Sequence, residues 1–138
     1  MIRKATDEDM LRIAELEALL FPDNAMSPAL LEREARVSQI LVIGDPAYAY
    51  AIVGDDGGLL DLLRIGVHPD HQGQGAGKQL LDHVTALGRS MILTVKKNNH
   101  RALRLYKRHG FRIVGHFSAA GAWALFREAE STSCPSPT

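Results

Sequence analysis

The segment Gln72-Gly73-Gln74-Gly75-Ala76-Gly77-Lys78 joins an apolar run ending at Val67 to a helical pattern beginning near Gly77. A glycine-rich turn from strand to helix is suited to phosphate. Glycine lets the backbone approach an anion and adopt positive φ, and the N–H groups of the helix's first turn then point at the ligand with the helix dipole behind them. The expectation is a pyrophosphate cradle built from backbone N–H groups between Gln72 and Lys78, with Lys78 adding charge at its lip. Two familiar patterns do not fit. A dinucleotide fingerprint needs a third glycine where Lys78 stands, and a Walker loop needs glycine at Gln72 and Ser or Thr at Gln79. The alternative is a plain glycine turn with a solvated lysine. His68 and His71 lie just before it on a proline-containing loop with no third ligand nearby, so a metal site is not expected.

The pattern around this turn predicts the elements that position it. Ile2 to Ala5 reads as a short strand, followed by a helix capped by Asp7 with Met10, Leu11, Ile13, Ala14, Leu16 and Leu20 at helical spacing. Phe21-Pro22-Asp23-Asn24-Ala25-Met26 breaks that helix. Ser27 caps the next, with Pro28 at its first position and Leu30, Leu31 and Ala35 on one face. Gln39–Ile43, Ala47–Val53 and Leu59–Val67 read as an antiparallel meander with a turn at Asp55-Asp56-Gly57-Gly58. Leu80, Leu81, Val84 and Leu87 stripe the helix after the glycine loop. Met91–Val95 is a strand, and Ala102, Leu103, Leu105 and Tyr106 belong to a helix closed by Gly110. Arg112–Phe117 and Ala122–Phe126 form a hairpin over Ala119-Ala120-Gly121. The expected fold class is α/β, a mixed central sheet with helices on both faces, in the order β-α-α-β-β-β-α-β-α-β-β. It occupies residues 1–128, and residues 129–138 are expected to be a disordered tail.

A chain of 138 residues makes one domain and buries roughly two-thirds of its unfolded surface. Lys and Arg number 16, as do Asp and Glu, giving a formal charge of zero. Nucleic acid and membrane surfaces are therefore not expected partners. The basic run Arg101, Arg104, Lys107 and Arg108 reads as a solvated helix face. The single cysteine, Cys134, lies in the tail and cannot form an intramolecular disulfide. With no signal peptide or membrane-length apolar run, this predicts a cytoplasmic protein, either monomer or homodimer.

Two segments together resemble the GNAT superfamily of N-acyltransferases. Gln-x-x-Gly-x-Gly at Gln72–Gly77, after Ile65-Gly66-Val67-His68-Pro69, is similar to its acyl-CoA-binding motif. Asn99-His100-Arg101-Ala102-Leu103-Arg104-Leu105-Tyr106-Lys107-Arg108-His109-Gly110-Phe111 is similar, without a gap, to its Asn-x-x-Ala-x-x-Leu-Tyr-x-x-x-Gly-Phe signature. The element order matches as well. Within the superfamily, Leu93-Thr94-Val95 and the loop from Phe21-Pro22 to Ser27 resemble corresponding segments of the bacterial ribosomal-protein-alanine N-acetyltransferases.

The resemblance implies acetyl-CoA as acyl donor, an amine as acceptor and no metal. It places the pyrophosphate at Gln72, Gly73, Gln74, Gly75, Ala76, Gly77 and Lys78. The pantetheine arm then pairs like an extra strand along a bulged Ile65, Gly66 and Val67, and Asn99, Ala102 and Tyr106 also come to the coenzyme. Tyr106 takes the role of acid toward the leaving thiolate; the bland reading is a core tyrosine, as capping is for Asn99. Thr94 stands where the alanine enzymes have glutamate and cannot accept a proton at neutral pH. Asp61, on the same strand face as Val67, is the substitute base, against the reading of a solvent-side aspartate. Phe21, Met26 and Thr94 are implied in acceptor binding, with Met26 where those enzymes commonly carry tryptophan. The short loop at Ala119–Gly121 implies a low wall on the acceptor side. A protein N-terminal α-amine is the leading acceptor, attacked directly in a ternary complex since no cysteine is placed to carry the acyl group. Small-molecule amines and lysine side chains remain open, as do a non-catalytic acyl-CoA-binding module and a structural interaction protein.

Overall fold

The computed structural model describes residues 1–129, so the expected tail, apart from Ala129, and Cys134 lie outside the described residues. Among the described residues, seven strands and four α-helices follow the order read from the sequence. They are β1 (Ile2–Lys4), α1 (Asp9–Leu20), α2 (Pro28–Val37), β2 (Ser38–Gly44), β3 (Ala47–Asp56), β4 (Leu59–Val67), α3 (Ala76–Thr85), β5 (Met91–Lys96), α4 (His100–Arg108), β6 (Arg112–Phe117) and β7 (Ala122–Arg127). Short 3-10 turns, Pro69–His71 and Ser118–Ala120, sit in two of the connections. The strands order as β1-β2-β3-β4-β5-β7-β6. The sheet is mixed: β4 and β5 run parallel, whereas β1–β2, β2–β3, β5–β7 and β6–β7 are antiparallel.

The chain divides into two compact units, Met1–Gly54 with Leu63–Leu80, and Asp55–Leu62 with the chain from Leu81 onward. In the first, Ile40, Val42, Tyr50 and Ile52 on one face of β2 and β3 form a core with Met10, Ile13 and Leu16 of α1 and Leu31 of α2. Leu41, Ile43, Ala49, Ala51 and Val53 alternate onto the other face and are buried too. Along β4 the same alternation is visible through its glycine and arginine. Arg64 reaches Glu17 of α1, and a Cβ on Gly66 would lie 2.9 Å from Leu20 Cδ1 and from the Tyr50 ring. On the opposite face, Val67 Cγ2 lies 3.8 Å from where a Cβ on Gly77 of α3 would be. Helices therefore cover both faces.

The helix ends follow the expected rules, with one correction. Ser27 Oγ accepts from Leu30 N (3.2 Å) with Pro28 at the first helical position. Asp7 does not cap α1. The carboxylate that organises this end is Asp9, which accepts from Thr6 N (2.7 Å) and Thr6 Oγ1 and from both terminal nitrogens of Arg3 in β1. Arg3 rewards the later aspartate with a bidentate ion pair, and Arg3 Nη2 also donates to Gly44 O (2.9 Å). Leu11, Leu30 and Ala35 point to solvent rather than to the core. Consecutive residues diverge by about 100° around a helix, so burying Met10 and Leu31 turns Leu11 and Leu30 away. Leu87 lies beyond the end of α3 and is half exposed.

In the second unit Met91, Leu93 and Val95 of β5 and Leu125 of β7 are buried, as are Leu81, Val84, Tyr106 and Phe111. The end of α4 is pinned by His109, whose Nδ1 meets Leu105 O (2.9 Å) and whose Nε2 meets Asp82 Oδ1 (2.6 Å). β6 forms the sheet edge and is mostly exposed. Its pairing with β7 skips Val114 between Ile113 and Gly115, a bulge of the kind that blunts an edge strand.

Arg3 and the Thr6 hydrogen bonds hold the Asp9 carboxyl well below its ordinary range, at about 2. A depressed carboxyl contributes stability that is present above the unfolded-state pKa and is lost as pH falls from about 4 through about 2. Asp9→Asn is therefore expected to lower unfolding stability at neutral pH by about 1–2 kcal/mol and to remove part of the fall across that acid window. Denaturant unfolding at neutral and acid pH checks this; a variant as stable as the parent at neutral pH would dismiss the Arg3–Asp9 clamp.

Candidate active site

Within the first unit, β4 delivers the chain to the glycine loop through a braced corner. His68 N donates to Tyr48 O (2.7 Å), His68 Nδ1 accepts from Asp70 N (3.0 Å), and the His71 ring stacks on Tyr48 at 4.0 Å between centroids. These contacts account for both histidines, and no group of three His, Cys, Asp or Glu side chains suited to a metal occurs among the described residues. Gln72 folds back so that Nε2 donates to Val67 O (3.0 Å), which ties the loop to the strand end. Gly73 and Gly75 have φ of 82° and 86°, a region that favours glycine. A side chain at either would meet no protein atom within 4 Å. The ladder of α3 begins with Gln79 N donating to Gly75 O (2.9 Å). The N–H groups of Ala76 and Gly77, which precede that bond, lie at the positive dipole end of the helix. The arrangement fits an anion approaching backbone rather than side chains, because the surface there is glycine on both sides of Gln74. Gly77 lacks a positive φ, and its added Cβ would make an ordinary 3.8 Å contact. The protein itself thus leaves room for a side chain at Gly77. Gly66 has a packing reason of its own: the Tyr50 ring and Leu20 occupy the place of a side chain.

The α1–α2 loop belongs to the same unit. Phe21 and Met26 are half-buried and pack on the core. The loop is fixed by residues that sequence reading passed over. Glu17, without solvent exposure, accepts from Tyr50 OH, from Met26 N (3.0 Å) and from Arg64 Nε and Nη2 (2.9 Å each). Arg64 also donates to Asn24 O (2.9 Å) and lies 4.2 Å from the Phe21 ring centroid. A charged residue in the apolar stripe of α1 and an arginine inside a buried strand pattern were the available signals.

The second unit holds the remaining candidates. Asp61 pairs in register with Ile92, so its side chain shares a face with Ile92 and with Thr94 two residues on. Asp61 is half-buried and Thr94 is exposed, opposite the buried Leu60, Leu62, Leu93 and Val95. The parallel ladder joins Leu60 to Met91 and Asp61 to Ile92. Asn99 caps α4: its Oδ1 accepts from Ala102 N (3.2 Å), which leaves the Nδ2 amide for other partners. Tyr106 is buried on α4 and packs edge-on against Phe111, 5.7 Å between centroids. Burial pushes its phenol up to about 12.

The glycine loop after β4 and the buried tyrosine of α4 can be set beside what the chain matches among known proteins. Residues 36–113 match the acetyltransferase (GNAT) domain, and the chain is 32% identical to an N-alpha-acetyltransferase RimI of Mycobacterium tuberculosis over 93% of its length and 92% of that protein's. The chain belongs to the GNAT acetyltransferase family. It is thus an acetyl-CoA-dependent N-acetyltransferase. Its fold matches the ribosomal-protein-S18-alanine N-acetyltransferase of Escherichia coli (TM-score 0.72, 21% identity, 91% of this chain and 90% of that one). It also matches the PaiA N-acetyltransferase of Thermoplasma acidophilum in complex with coenzyme A (TM-score 0.77, 16% identity, 93% and 98%). No helix among the described residues is long and apolar enough to cross a membrane.

If the coenzyme meets the first turn of α3, as the resemblance implies, Gly77 tests its binding apart from folding, which positive-φ glycines cannot do. Gly77→Val is expected to leave the unfolding transition nearly unchanged and to weaken acetyl-CoA binding at least about tenfold, because the added branch lies in the anion's approach. Calorimetric titration beside thermal unfolding reads both, and undiminished affinity would remove the first turn of α3 from the coenzyme site.

Proposed function

We propose that this GNAT enzyme moves the acetyl group of acetyl-CoA to the α-amine of a protein N-terminus. The observation that carries the proposal is the likeness to an N-alpha-acetyltransferase along nearly the whole of both chains. The rigidly held Phe21–Met26 loop, a surface on which a peptide can rest, supports it. The single cysteine suits a reducing compartment, and we place the reaction in the cytoplasm.

In this reading the N–H groups from Gly73 to Lys78 receive the pyrophosphate, and the Lys78 ammonium adds charge at the lip. The backbone of Ile65, Gly66 and Val67 pairs with the pantetheine amides. Asn99 caps α4 with its oxygen and offers its amide to the coenzyme arm, and Ala102 keeps that surface low. The acceptor nitrogen attacks the thioester carbonyl carbon, the C–S bond breaks, and the electron pair leaves on sulfur. Tyr106, kept protonated by burial, gives its phenolic proton to that sulfur. The proton lost by the amine passes through water to Asp61, with the Thr94 hydroxyl on the same face to orient the water.

Release of free thiol with a panel of N-terminal peptides, lysine peptides and small amines tests the acceptor. Turnover confined to lysine peptides or small amines would overturn the N-terminal reading, and no turnover with any amine would favour a binding module. Two substitutions test the roles. Tyr106→Phe is expected to lower kcat about 10- to 1,000-fold with little change in coenzyme affinity, since it removes a proton donor alone. Asp61→Asn is expected to lower turnover and steepen its rise with pH, because the reaction then depends on the amine's own deprotonation near pH 8. Full activity of Tyr106→Phe returns that residue to the core, and an unchanged pH profile for Asp61→Asn makes it a surface aspartate.

A further inference from the structure

Glu17 and Arg64 are separated by 47 residues in sequence, and neither belongs to a signature of the family quoted above. Yet the pair is fully engaged. Both Glu17 oxygens are occupied by donors: Oε1 by Met26 N and Arg64 Nη2, Oε2 by Tyr50 OH and Arg64 Nε. Arg64 does more than neutralise the carboxylate. Its Nη2 also reaches Asn24 O, and its guanidinium lies over Phe21. The loop between α1 and α2 is thus held at a ring (Phe21), a carbonyl (Asn24) and an N–H (Met26), all traced to one ion pair. Main-chain bonds within the loop, Phe21 N to Glu17 O (2.7 Å) and Asn24 N to Phe21 O (3.1 Å), complete its shape. A core made only of apolar side chains could bury this corner, but it could not fix a carbonyl and an N–H of an irregular loop.

We propose that the buried Glu17–Arg64 pair, steadied by Tyr50, is a positioning device that sets the conformation of the acceptor loop and thereby the enzyme's choice among amines. This rests on the reading that Phe21 and Met26 face the acceptor. The planar guanidinium matters as well as its charge, because one residue must meet a carboxylate side-on, a carbonyl and an aromatic face together. An ammonium, a point donor, serves one of these at a time.

The test compares Arg64→Lys, Arg64→Ala and Tyr50→Phe with the parent, using the best amine found in the acceptor panel. Arg64→Lys keeps a buried positive charge and is the variant least prone to fail in folding. It is expected to raise the acceptor KM about tenfold and to narrow the ratio of kcat/KM between the best and second-best amines, while the acetyl-CoA dissociation constant moves far less. Tyr50→Phe, which leaves Arg64 in place, is expected to give a smaller shift in the same direction. Hydrogen exchange at the Met26 N–H should quicken in both. Equal losses in acceptor and coenzyme terms, or an unaltered acceptor ratio in a folded Arg64→Lys protein, would overturn the proposal and make the pair a packing element. If the panel selects lysine or a small amine, the N-terminal reading fails while the KM split still judges the pair.

Discussion

A carboxylate taken wholly out of water costs several kcal/mol unless donors meet its oxygens, and Glu17 is buried at the last turn of α1 with Arg64, Tyr50 and Met26 N supplying them. That requirement fixes more than one side chain. Arg64 must face α1, so Gly66 two residues on faces it as well, where Tyr50 and Leu20 leave no room for a side chain. The intervening and flanking residues Leu63, Ile65 and Val67 are then committed to the other face of β4. A slip of one residue would expose the arginine's partner and present Val67 to the crowded side. The phase of β4, and with it the direction in which the chain enters the glycine loop, follows from the ion pair.

The loop that β4 feeds solves a different problem. An anion site made of side chains would have to hold long, mobile cations in place at an entropic cost, whereas Gly73 and Gly75 set backbone N–H directions with no side chain to order. Glycines with positive φ are free to fold many ways when unbound to neighbours, so the corner needs restraint from elsewhere. Gln72 on Val67 O, and His71 stacked on Tyr48, provide it. Gln72 and His71 thus hold the backbone of the loop in shape, which gives the glutamine that opens the motif a structural role.

What was legible in the sequence was local. Ser27-Pro28, the glycine loop, Asn99 as a cap and the hairpin at Gly121 each depend on residues within a turn of one another, and each stands where the spacing put it. Asp7 lost to Asp9 because Arg3, a strand residue six positions earlier, offered a bidentate partner that capping statistics do not include. The Glu17–Arg64 pair escaped for the same reason on a larger scale. A glutamate among apolar helix residues looks like a solvent-side position until a partner from a distant strand is known. Leu11, Leu30 and Ala35 failed in the opposite sense: helical spacing shows which residues could share a face, and only packing decides which line of that face is covered.

If Thr94 stands, as the resemblance implies, where the alanine enzymes carry glutamate, the difference bears on which amines the proposed enzyme takes. Thr94 is exposed on β5, on the same face as Asp61, so a proton acceptor there works at the edge of solvent. A base in that setting keeps modest power, and the fraction of acceptor already neutral sets the rate. At neutral pH an α-amine with pKa near 8 is about one-tenth deprotonated, and a lysine with pKa near 10.4 is about one in 2,500. The difference amounts to roughly 3 kcal/mol that an enzyme with a well-placed buried carboxylate can supply and a weakly assisted one must find in its substrate. On the proposed reading, threonine at this position therefore biases the chemistry toward acceptors of low pKa.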